Sequence, residues 1–80
     1  MSTIDDIERF CGLYLSEEDA QHLVGWIAWR TGRNQALAGA GDALTRLRHV
    51  LTHWLDEQQR TQLRDWLARR YERGEPLLPK

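Results

Sequence analysis

Apolar residues recur along this chain at spacings of three and four, and no stretch alternates apolar and polar residues at a spacing of two, so the pattern predicts helices and no strands. Ile4, Ile7, Cys11 and Tyr14 mark a first helix, which Ser2 or Thr3 can cap because Asp6 follows Thr3 by three residues. Ser16 opens a second, with Glu17, Glu18 and Asp19 in its first turn suited to the positive end of the helix dipole and Gly32 placed to end it. Asp42 can cap a third helix carrying Leu44, Leu47, Val50, Leu51 and Trp54 on one face. Asp56 with Gln59 repeats the box of Ser16 with Asp19 and opens a fourth that stops at Gly74, with Pro76 beyond. The predicted helices span residues 3–14, 17–31, 43–55 and 57–73. Gly32, Gly39 and Gly41 make residues 32–42 a connector rather than a continuous helix, with room for one helical turn from Asn34 to Ala38.

The pattern also repeats at an offset of 40. Leu15, Glu17, Leu23, Trp26, Ala28, Arg30, Arg33 and Leu37 fall on Leu55, Glu57, Leu63, Trp66, Ala68, Arg70, Arg73 and Leu77, eight identities where this composition gives roughly three by chance. The expected fold is therefore all-α: a small four-helix bundle of two similar helical hairpins related by internal duplication, residues 3–31 and 43–73, joined by the connector and followed by a tail at 74–80. Projected at 100° per residue, the second helix turns Ala20, Leu23, Ile27 and Thr31 to the core with Trp26 beside them, and the fourth turns Leu63, Trp66, Leu67 and Tyr71.

Eighty residues make one domain, near the lower limit for a self-sufficient core, so association with a partner or a second copy is expected to help. A hydrophobic content of 41% with 29% charged residues is that of an ordinary globular domain. The net charge of −1 supplies no overall attraction to nucleic acid or membrane, although residues 1–40 carry three arginines against six acids and residues 41–80 eight basic residues against six. The single cysteine, Cys11, lies on an apolar stripe, no intrachain disulfide can form, and the longest apolar run, Leu23 to Trp29, is too short to span a bilayer. With an acidic N-terminus where a signal peptide would be basic, the chain reads as cytoplasmic. Ten arginines against one lysine point to a GC-rich bacterial or phage genome.

Function is sought where the halves differ. His22, Gly25 and Trp29 of the second helix correspond to Gln62, Asp65 and Arg69 of the fourth, so the helix tolerates polar residues there and the apolar choice is not forced by folding. A tryptophan beside a glycine on the face away from the core has the character of an interface anchor. The competing explanation is that Trp29 packs under the connector. His22, Gly25, Trp26, Trp29 and Arg33 are therefore the candidate partner-binding residues, for a larger protein or for a second copy in a twofold homodimer. The alternative is a nucleic-acid-binding regulator using Arg46, Arg48, Arg60, Arg64, Arg69, Arg70 and Arg73, weakened by the interleaved Asp42, Asp56, Glu57, Asp65 and Glu72.

No nucleophile stands beside a base, no glycine-rich phosphate loop follows a strand, and no glycine-flanked serine occurs, so an enzyme is not expected and no cofactor is called for. His49 and His53, four apart, share a helix face as zinc ligands do, but they read as surface histidines. The expected function is that of a non-catalytic regulator, adaptor or inhibitor acting by protein–protein binding.

Overall fold

A computed structural model describes residues 2–75 of the chain. Its elements are α1 (Thr3–Tyr14), α2 (Glu17–Arg30), a 3₁₀ turn (Gln35–Ala38), α3 (Ala43–His53) and α4 (Glu57–Glu72), with no strand among the described residues. Each α-helix begins where a short polar side chain can take an orphan backbone N–H. Ser2 accepts from Asp5, Ser16 from Asp19, Asp42 from Thr45 and Asp56 from Gln59. The reciprocal box closes at α4, where Gln59 Oε1 accepts from the Asp56 N–H at 3.0 Å. Ser16 has only its own half of the motif, since the Asp19 side chain is one methylene shorter than a glutamine's. α2 stops in a C-terminal turn in which Gly32, at φ +70°, takes the left-handed conformation and Arg33 N–H reaches Ala28 O at 2.8 Å. The expected turn within the connector is the 3₁₀ segment, started by Asn34, whose side chain accepts from Ala36 N–H at 2.9 Å.

The helices pack chiefly across the two halves. α3 lies against α2 and α1, and α1 lies against α4, while α1 and α2, like α3 and α4, meet little beyond the turns that join them. The lateral contacts are thus not those of two closed hairpins set side by side. The radius of gyration of 11.6 Å is that of a compact chain of this length. All eight residues expected at the centre of the core, Ile7, Cys11, Leu23, Ile27, Leu47, Leu51, Leu63 and Leu67, are buried. Val24 and Ala28 join them, at 0% and 2% exposure, where α3 and the 3₁₀ segment, with Ala38 in the core, both pack against α2. Tyr71, expected on the core face of α4, instead lies half exposed against Tyr14, their ring centroids 4.3 Å apart. Burial pushes the Cys11 thiol up to about 12.

Polar contacts between the halves recur at the same offset of 40. Thr3 Oγ1 donates to Glu57 Oε1 at 2.7 Å, and the Ala43 N–H donates to Glu17 Oε1 at 2.7 Å, so the first turn of each even-numbered helix grips the start of the odd-numbered helix of the other half. Arg48 meets Glu8 at 2.8 Å. The hydrogen bond from Thr3, with Arg60 behind it, holds the Glu57 carboxyl below the usual glutamate range. Residues 76–80 of the expected tail, including Leu77, lie outside the described residues.

Candidate binding groove

All four tryptophans of the chain line one open groove of about 1160 Å³ between the C-terminal half of α2, the α3–α4 junction and α4. Trp26 of α2 and Trp66 of α4 stack on each other, centroids 5.9 Å apart and planes within 4°. One helical turn beyond each lies an arginine. The Arg30 guanidinium sits 5.7 Å from the Trp26 centroid and that of Arg70 4.9 Å from Trp66. Such cation–π contacts are worth about 0.5–1 kcal/mol at exposed sites and hold the side chains in place. Arg33, just past the end of α2, lies 5.6 Å from Trp54, and Arg69 of α4 lines the groove. Trp29 is 75% exposed on the α2 side.

The connector does not cover Trp29. It covers Gly25 instead: a Cβ added there would come within 3.1 Å of Gln35 Oε1, so the space beside this glycine is occupied by the chain itself rather than held open for a partner's backbone. Among the five residues singled out from the sequence, Trp26, Trp29 and Arg33 converge on the groove, whereas His22 is exposed outside its lining and Gly25 lies under Gln35. Trp54, Trp66, Arg30, Gln59 and Gln62 belong to the groove and were not foreseen. The equivalence of Trp26 with Trp66 at an offset of 40 was the signal that could have located Trp66, and Trp54 has no such signal.

The seven arginines of the alternative reading are dispersed among other tasks. Arg46 bonds Gln21 and reaches Gln35 O at 3.0 Å, tying α3 to α2 and the connector. Arg48 pairs with Glu8 and Asp5, and Arg64 with Asp6 and Asp65. Arg60 donates to Leu51 O and Leu55 O, both at 2.8 Å, closing the C-terminal end of α3, and pairs with Glu57. Arg70 and Arg73 approach Glu75. Arg69 alone of the seven lines the groove.

No protein family, curated protein or solved structure matches this chain. Its chemistry therefore rests on its own residues. His49 and His53 stand with ring centroids 4.8 Å apart, and among the described residues no three His, Cys, Asp or Glu side chains gather as a metal would require. No helix among the described residues is long and apolar enough to cross a membrane. The groove offers flat apolar rings, fixed guanidinium groups, two amides and the Thr31 hydroxyl, which donates to Ile27 O at 2.8 Å, a combination suited to holding a ligand.

Proposed function

We propose that this protein is a non-catalytic binding module, a regulator, adaptor or inhibitor that works by seating part of another protein in the tryptophan groove. The convergence of all four tryptophans on one open groove is the observation that carries the reading. A largely exposed Trp29 is costly to leave in water, and aromatic and arginine side chains are the residue types that dominate binding energy at protein interfaces. Affinity capture from the source cells tests it. The wild-type protein should retain a partner that Trp29→Glu loses while keeping its helical content, and the purified partner should bind the wild-type chain directly. A Trp29→Glu variant that holds the same partner equally well would remove this groove from consideration.

Nucleic-acid binding is the second reading, favoured by the guanidinium groups beside stacking rings. It differs in salt dependence, because phosphate contacts make affinity fall steeply with ionic strength while an aromatic protein interface is much less affected. We also propose that the two halves arose by duplication. The N-caps at Ser2 and Ser16 against Asp42 and Asp56, and the paired contacts Thr3–Glu57 and Ala43–Glu17, support it. An experimental structure in which residues 3–30 failed to superpose on residues 43–70 would contradict it.

A further inference from the structure

We infer that the groove takes an acidic segment of the partner, one that carries apolar side chains between its carboxylates. The inference rests on the binding role proposed above and specifies its ligand. Its basis is a difference in how the arginines are neutralised. Outside the groove Arg48, Arg60, Arg64 and Arg73 each lie within 4 Å of a carboxylate, and Arg46 is tied to the Gln21 side chain and Gln35 O. In the groove, Arg30, Arg33 and Arg69 have no carboxylate partner among the described residues, and no Asp or Glu stands in the lining. Arg30 and Arg33 are held over indole rings, which fixes their positions without cancelling their charge. The protein as a whole is slightly acidic, at −1, so this cationic patch is local.

Three guanidinium groups around four indoles match a short ligand with a few carboxylates and a few apolar groups, since complementary potentials steer and select partners. A second copy of this chain fits poorly. A twofold contact of groove on groove would set Arg30, Arg33 and Arg69 against their own equivalents with no acid between them. A nucleic-acid strand is also less well served, because Arg48, Arg60 and Arg64, which would have to continue a phosphate track along α3 and α4, are already paired with Glu8, Glu57 and Asp6.

The test uses the full chain and reads tryptophan fluorescence, to which every indole in the groove contributes. Four probes are titrated at about 50 mM and 200 mM salt: a 12-residue peptide of Asp and Glu interspersed with Leu and Phe, the same peptide with Asn and Gln for the acids, the same with Lys for the acids, and a 12-nucleotide single strand. The acidic peptide should bind at least tenfold more tightly than the amide peptide, with no saturable response to the lysine peptide. Arg69→Glu and Trp29→Ala, both at exposed positions, should each weaken it about tenfold or more while helical content is unchanged. Equal affinity for the acidic and amide peptides, indifference to Arg69→Glu, or absence of any saturable response to the acidic peptide would each overturn the inference. Saturable binding of the oligonucleotide alone would assign the groove to nucleic acid, and a dimer on a sizing column that Trp29→Glu dissociates would assign it to a second copy. The two proposals fail separately: a native partner lost with Trp29→Glu but unaffected by Arg30→Gln, Arg33→Gln and Arg69→Gln combined leaves the groove as the binding surface and rejects the acidic segment.

Discussion

Leu23 and Leu37 are the same residue type in two extreme settings, 0% and 65% exposed, and so calibrate what burial contributes here. Leu23→Ala removes three carbons from a close-packed interior and leaves a cavity bounded by α2 and α3, which should lower the unfolding free energy by about 2–5 kcal/mol in a denaturant titration. Leu37→Ala, on the outer side of the 3₁₀ segment, should change it by no more than about 0.5 kcal/mol. Equal losses would mean that the connector is packed more tightly than its exposure indicates. Cys11 gives a chemical check on the same core. At 1% exposure and with its pKa pushed up to about 12, the thiol is neither reachable nor ionised near neutral pH, so Ellman's reagent should leave it untouched in the native protein and react with it on unfolding. A fast stoichiometric reaction with the folded protein would show that α1 opens readily away from α3.

Two glycines of the same helix and its end make opposite predictions at the level of the element. Gly25 lies within α2, where glycine is less favourable than alanine by about 0.5–1 kcal/mol, and the only near neighbour of an added Cβ is the far end of the exposed Gln35 side chain, which can move aside. Gly25→Ala should therefore leave thermal stability unchanged or raise it by up to that amount. Gly32→Ala should lower it by roughly 1 kcal/mol, because the φ of +70° at the end of α2 suits glycine and strains any residue with a Cβ. The four helices were legible in the sequence because each is punctuated by its own residues, Ser2, Ser16, Asp42 and Asp56 at the starts and Gly32 and Gly74 at two of the ends. The core stripe was legible for the same local reason. The burial of Val24 and Ala28 was not, since it depends on where α3 and the connector pack, and nothing in α2 itself distinguishes these residues from an exposed pair. The groove was half legible: the contrast of Trp29 with Arg69 drew attention to α2, but Trp54 and Trp66 join Trp26 only through contacts between α2 and the second half of the chain, which no periodicity within a helix encodes.

At the scale of the whole molecule, the halves are fastened to each other by groups that titrate. Glu57 accepts the Thr3 hydroxyl hydrogen bond across the α1–α4 contact, and that bond, with Arg60, lowers its pKa below the ordinary 4.5 of a glutamate. A carboxyl depressed in the folded state binds its proton more readily when unfolded, so its contribution to stability is complete above the unfolded value and disappears as the pH falls through the folded one. Asp42, lowered by the bond it accepts from the Thr45 backbone N–H, acts in the same direction, while the Ser2 and Ser16 caps do not titrate. The melting temperature of the wild-type protein should accordingly be flat near neutrality and fall below about pH 4.5. Glu57→Gln keeps the size of the side chain and an acceptor for Thr3 but removes the charge facing Arg60, so the variant should melt lower than wild type at pH 7 and the two should draw together as the pH falls below the ordinary 4.5 and through the lowered value of the folded state. Circular dichroism melts at half-unit steps of pH would check this, and parallel curves for the two proteins across that range would mean that the Glu57 carboxylate contributes no pH-dependent stability.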